Sequence, residues 1–186
     1  MILPVYVYGM PILRKTAVEI DENYEGLDQL IEDMFETMKA SDGVGLAAPQ
    51  IGKSIRLFLI NAQEMEIDDE PDLKDFKRIF INPYITEEWG EKWDFQEGCL
   101  SIPLIREDVS RHSKLKIEYY DENWEFQEEE FEGVRARIIQ HEYDHLDGKL
   151  FVDKINPLRK KLLKGRLNAI SRGKAEVDYK MIYPKK

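Results

Sequence analysis

Val134, Ile138, His141 and His145 recur at i, i+4, i+7 and i+11. That period places all four on one side of a helix, so Gly133–His145 is predicted to be helical, with Asp147-Gly148 as its stop signal. Any fold for this chain must therefore accommodate a helix whose apolar stripe finishes in two imidazoles one turn apart. Two histidines at this spacing can hold one metal ion, and Glu142, beside the first, can act on a water bound there. A metal lowers the pKa of such a water towards about 7, which gives a nucleophile at neutral pH. Two of the chain's three histidines fall in the pattern, which weighs against a coincidental pair.

Around this helix the predicted elements do not alternate regularly. Leu27, Leu30, Ile31, Met34, Phe35 and Met38 share one face of a helix over Glu25–Ala40, stopped by Ser41-Asp42-Gly43. Ile55–Ile60 reads as a buried strand. Ile79–Thr86, Lys114–Tyr120 and Trp124–Phe131 read as further strands, the last two joined by a turn at Asp121-Glu122-Asn123. Gln63–Lys77 is acidic and aperiodic, an exposed loop. Pro157–Arg172 reads as a helix with Pro in its first turn and Leu158, Leu162, Leu163, Leu167 and Ile170 on one side. This order favours α+β over a doubly wound sheet.

At 186 residues the chain has the length of one domain, and 42% hydrophobic residues suffice for a core. No apolar run approaches the roughly 20 residues of a membrane span. The first residues, Met-Ile-Leu-Pro-Val-Tyr, lack the basic start of a signal peptide, and a lone cysteine permits no internal disulfide. A reducing, cytosolic setting is expected. The net charge of −10 argues against nucleic-acid binding over the whole surface. The charge is uneven: residues 1–153 carry 16 Lys/Arg against 35 Asp/Glu, and residues 154–186 carry 11 against 2, leaving −19 and +9.

A catalytic metal usually has three protein ligands and one open position. Position 151, where a third histidine of a long metalloprotease pattern would stand, is Phe, and the only downstream Glu, Glu176, lies in the tail. Upstream, Cys99 in Gln96-Glu97-Gly98-Cys99-Leu100-Ser101 is the sole thiol; thiolate suits zinc or ferrous iron. Such a cysteine is more often simply buried core, but Gly98 and the predicted metal helix favour a ligand. His112 reads as an exposed loop histidine.

Three segments in order, Gly43–Gln50, Glu97–Ser101 and Gln140–Gly148, resemble the three signature motifs of peptide deformylases: Gly-x-Gly-x-Ala-Ala-x-Gln, Glu-Gly-Cys-x-Ser and His-Glu-x-x-His. Each matches without departure, and Glu-Gly-Cys-Leu-Ser-Ile-Pro followed by Arg106 resembles the common bacterial branch. The resemblance implies an α+β fold, antiparallel sheets packed around a central metal-binding helix, with a C-terminal helix. It implies removal of the formyl group from the N-terminal formyl-methionine of nascent chains, releasing formate. It implies one divalent ion held by Cys99, His141 and His145: ferrous iron in the cell, zinc or nickel in purified protein. Glu142 is then base and acid, and Gln50 and the Leu100 N–H donate to the oxyanion. Gly43 and Gly45 let substrate backbone approach, and Val44, Phe95, Val134 and Ile138 are candidates for the methionine slot. Gly98 flanks the cysteine, Glu97 and Arg106 are expected to pair near the mouth, and Arg106 is an alternative holder of substrate backbone. A general metallopeptidase or a structural metal site in a binding module are the competing readings; the latter prefers four protein ligands.

The chain is thus expected to be a single catalytic domain, 1–186, monomeric and cytoplasmic, with 154–186 as a basic helix and tail. With its leucines docked and its charges outward, that helix is a candidate contact for ribosomal RNA; a solvated face is the plainer reading.

Overall fold

The computed structural model describes residues 1–67 and 70–185. Asp68 and Asp69 of the acidic loop, and Lys186 of the tail, lie outside them. The elements in order are β1 (Val5–Tyr6), α1 (Leu27–Ala40), β2 (Gly45–Ala47), β3 (Leu57–Asn61), β4 (Lys77–Cys99), β5 (Ile102–Tyr120), β6 (Phe126–Glu132), α2 (Gly133–Leu146), α3 (Pro157–Ser171) and β7 (Met181–Ile182). The architecture is α+β, as the order of predicted elements implied. Strands β2 to β6 form one antiparallel sheet in sequence order. The second sheet differs from expectation: β1 and β7 pair in parallel, joining the two chain ends.

Strand β3 explains how the sheet is covered. Its run Leu57-Phe58-Leu59-Ile60 is fully buried on both faces, which is why it reads as a continuous apolar stretch rather than an alternating one. Leu57 and Leu59 face Ile31, Met34 and Met38 of α1, while Phe58 and Ile60 belong to the core that includes Val134, Ile138 and Ile139 of α2. Each such side chain contributes about 1.5–3 kcal/mol on full burial. Helix α2 is enclosed almost all round: Arg137, Gln140, Glu142, Asp144 and His145 are buried beside its apolar residues. Buried polar groups at that density require partners, and these are what the site is made of.

Several predicted elements change on inspection. Helix α1 begins at Leu27, because Gly26 takes φ +76° at its N-cap. Strand β4 runs 23 residues rather than stopping at Thr86, and β5 runs 19. The two pair from Ile81↔Tyr120 to Cys99↔Ile102, with register shifts that bend the ribbon. Its middle, Glu87 to Asp94, has little apolar alternation because only Trp89 and Trp93 are half-buried there and the rest is exposed. His112 is therefore a strand residue opposite Lys92, not a loop histidine. Trp124 has φ +60° in the turn before β6, where Asp121 Oδ1 accepts the N–H of Asn123 and Glu125. The acidic loop is partly built in: Pro71–Asp75 is a 3-10 turn, Leu73 and Phe76 are buried, and Glu70 Oε1 accepts the Val134 N–H at the start of α2, 3.0 Å away.

Helix α3 docks through Leu163, Leu167 and Ile170, at i, i+4 and i+7. Leu158 and Leu162 were expected on that side; they are 66% and 65% exposed. The helical period separates them: the body meets the later leucines, and the first two fall on the opposite flank. Nor are all the basic charges free. Arg159 pairs with Glu107, Lys160 with Asp153, and Arg166 donates to Leu104 O at 2.6 Å.

Candidate active site

Two elements converge on α2. Cys99 closes the β4–β5 hairpin, whose turn is Leu100-Ser101. Gln50 stands on the 3-10 turn after β2. The Cys99 Sγ and His145 Nε2 are 3.4 Å apart, and one ligand atom from each of Cys99, His141 and His145 lies within 4.8 Å of the others.

The His141 tautomer follows from its neighbour. Its Nδ1 is 2.8 Å from Glu97 Oε2. A carboxylate only accepts, so the proton sits on Nδ1 and the Nε2 lone pair is left for a ligand role. Glu97 is the hub of a buried network: Oε1 accepts from Arg111 Nε (2.7 Å) and Arg137 Nη1 (2.9 Å), and Oε2 accepts from Arg111 Nη2 (2.9 Å). Burial opposes ionisation of Glu97, but the His141 and Arg111 hydrogen bonds outweigh it and hold the carboxyl well below the usual range. Arg111 continues to Asp144 Oδ2 at 2.7 Å. The expected Glu97–Arg106 pair does not form. Glu97 is 5% exposed and turned inward, whereas Arg106 is exposed on the rim and makes no ion pair among the described residues. The competing buried arginines, Arg111 and Arg137, were not foreseen: each is separated by many residues from Glu97, and no local pattern marks them.

Gln50 is oriented by its oxygen. Oε1 accepts the Ala47 N–H at 2.8 Å, so Nε2 turns towards Cys99 Sγ (3.4 Å) and Ser101 Oγ (3.3 Å). Ser101, the last residue of the second motif but without an expected role, is thereby part of the cluster. Glu142 is 4% exposed, and its Oε2 has no hydrogen-bond partner among the described residues. Burial pushes its carboxyl up to about 7. Gly45 makes room for it: a Cβ there would stand 2.7 Å from Glu142 Cδ. This close approach, rather than a special backbone conformation, is what requires glycine.

A cavity of about 660 Å³ opens over these groups. Gly43, Val44, Gly45, Gln50, Phe95, Glu97, Gly98, Cys99, Leu100, Arg106, Val134, Ile138, His141 and Glu142 all line it. His145 lies beneath, 1% exposed. Met65, Arg137, Val177 and Tyr179 add walls that the sequence motifs do not reach.

The donor set fits a metal. One sulfur and two imidazole nitrogens around one tetrahedral ion stand about 3.5 Å apart, close to the 3.4 Å between Cys99 and His145. His145 Nδ1 and Glu142 Oε2, on the helix that carries both histidines, are buried and without hydrogen-bond partners among the described residues. A central helix with histidines at i and i+4, a thiolate from an adjacent hairpin and a buried carboxylate facing a cavity define a metal-dependent hydrolase.

Comparison with known proteins agrees. The family model described as Polypeptide deformylase matches residues 2–161. The peptide deformylase of Christiangramia forsetii is 51% identical over 99% of this chain and 97% of its own length. That of Flavobacterium psychrophilum is 50% identical over the full length of both. The crystal structure of a peptide deformylase from Legionella pneumophila superposes with a TM-score of 0.80 at 38% identity, covering 95% of this chain and 99% of that one. The chain belongs to the polypeptide deformylase family. It is a hydrolase that removes the N-formyl group from newly synthesised polypeptides. Among the described residues, no helix is long and apolar enough to cross a membrane.

Proposed function

We propose that Cys99, His141 and His145 hold one divalent ion, that Glu142 moves the protons of formamide hydrolysis, and that Gln50 and Leu100 receive the oxyanion. The observation that carries this is the buried, unpartnered Glu142 Oε2, facing a cavity that also presents the Gln50 amide donor and the three-ligand cluster. When bound, the ion supplies Lewis acidity and makes a water at its open position acidic near neutral pH. Glu142 takes a proton from the attacking water and delivers one to the departing amine of methionine. Gln50 Nε2 and the Leu100 N–H donate to the formyl oxygen as it gains charge; the lock between Gln50 Oε1 and Ala47 keeps the amide from presenting its acceptor instead. Val44, Phe95, Val134 and Ile138 receive the methionine side chain. Gly43, Gly45 and Gly98 admit substrate backbone, and Arg106 on the rim faces the following residues. Glu97 acts through His141 rather than on substrate.

In the cell the ion is ferrous iron; zinc or nickel replaces it in purified protein, as a mixed sulfur and imidazole set allows. The experiment is metal analysis of protein purified without air, together with formate release from a formyl-Met peptide. Chelation should abolish release, and ferrous iron should restore it. Release undiminished after complete metal removal would refute the assignment.

We further propose that the chain is one cytoplasmic, monomeric catalytic domain, 1–186, and that its basic C-terminal segment, 154–186, meets ribosomal RNA. Lys161, Lys164, Arg172, Lys174, Lys180 and Lys185 are exposed and make no ion pair among the described residues, so they are cations free for phosphate. Reversing Lys161 and Lys164 should lower co-sedimentation with ribosomes at low salt without changing turnover of a short formyl-Met peptide. Wild-type binding should fall steeply with salt, as counterion release requires. Equal sedimentation of the two proteins would leave these charges as a solvated face.

A further inference from the structure

After α3 the chain returns to the cavity along a fixed path. Gly173, at φ +77°, closes the helix, with its N–H donating to Ile170 O and the Lys174 N–H to Ala169 O, both at 3.0 Å. Exposure then alternates: Ala175, Val177 and Tyr179 are half-buried, while Lys174, Glu176, Asp178 and Lys180 are exposed. At the far end the Val5 N–H donates to Lys180 O at 2.8 Å and the Val7 N–H to Ile182 O at 3.0 Å, the β1–β7 pairing. Residues 174–180 are therefore a strap tied at both ends. Two of its inward residues, Val177 and Tyr179, line the catalytic cavity.

The Tyr179 hydroxyl donates to Leu100 O at 2.8 Å. The next carbonyl, Ser101 O, accepts the Tyr8 N–H, also at 2.8 Å. The two-residue turn that follows Cys99 is thus held on consecutive carbonyls by one anchor from each end of the chain. The family match stops at residue 161, so the C-terminal anchor lies outside it.

We propose that Tyr179 is a positioning residue for the reaction: it fixes the Leu100 turn so that the Leu100 N–H is aimed at the oxyanion. This rests on the reading of Leu100 as an oxyanion donor. Fixing the Leu100 carbonyl restricts the ψ angle of Leu100, and with Cys99 paired to Ile102 the preceding peptide, which carries the N–H, has little freedom left. Donors to a developing charge contribute most when they need no reorganisation at the moment of reaction. Losing the anchor should therefore cost turnover rather than substrate affinity.

Tyr179→Phe keeps the ring and removes the hydrogen bond. The expected result is a fall in kcat of about three- to tenfold, the scale of one uncharged hydrogen bond, with KM, Tm and metal content as in the wild type. The second readout is the ¹⁵N-labelled Leu100 amide in zinc-loaded protein, titrated with a hydroxamate. In the wild type its proton signal should move downfield, and in Tyr179→Phe the shift should shrink. An unchanged kcat with the shift intact overturns the role of Tyr179, as does a rise in KM alone, or a loss that follows Tm or metal content. A wild-type Leu100 signal that ignores the ligand overturns the oxyanion reading itself, and the role of Tyr179 with it.

Discussion

Glu142→Gln should lower formate release by about 10²–10⁴-fold, the contribution of a placed proton-transfer group, and leave metal content at the wild-type level. Glu142 stands outside the group Cys99, His141 and His145, so its loss removes no ligand. Gln preserves the volume that Gly45 makes available, and Oε2 has no hydrogen bond to forfeit among the described residues, so Tm should not fall. The amide cannot take a proton from water at neutral pH, which is the whole of the expected effect. The loss should appear in kcat and in kcat/KM alike, because the interaction is made only on the way to the transition state. Formate-release kinetics with metal analysis on the same sample check this, and near-normal turnover at full occupancy would remove Glu142 from the role.

That carboxylate was legible because its chemistry is local. A helix brings residues four apart to one face, so His141 and His145 declare a shared site from spacing alone, and α2 runs as its stripe implied. The apolar run of β3 was legible for the same kind of reason. What escaped was set by distant partners. The middle of the β4–β5 ribbon is charged on both faces, so a strand there leaves no alternating trace; only pairing along the whole hairpin reveals it. Leu158 and Leu162 were grouped with the docking leucines of α3, since the sequence does not say where the body ends beneath a helix. The Glu97 error has the same origin. Arg106 is the nearest arginine in sequence, yet Arg111 from β5 and Arg137 from α2 are the ones that reach the carboxylate. Tyr179 could not be read at all without knowing that β7 returns to β1.

The Glu97 network gives the second large effect, on stability and metal binding together. Four donors converge on two oxygens: Arg111 through Nε and Nη2, Arg137 through Nη1 and His141 through Nδ1. Arg111 retains Asp144 if Glu97 is neutralised, but Arg137 then keeps only the carbonyls of Val109 and Trp93, at 2.7 and 2.6 Å. Glu97→Gln replaces one acceptor oxygen by an NH₂ that must face two donors, and it leaves a buried guanidinium without its counter-charge. Breaking a buried pair from one side costs about 3–5 kcal/mol, a large part of the 5–15 kcal/mol that holds an ordinary domain. The urea midpoint should fall accordingly. His141 also loses the acceptor that selects its tautomer, and disturbing such a partner weakens metal binding by about 10–100-fold. The two losses can be separated in protein refolded at low temperature with excess zinc, where any remaining deficit in a competitive chelator titration reports His141 alone. A Glu97→Gln protein with wild-type urea midpoint and wild-type metal affinity would mean that Arg111, Arg137 and His141 find other partners, and that the buried hub is dispensable.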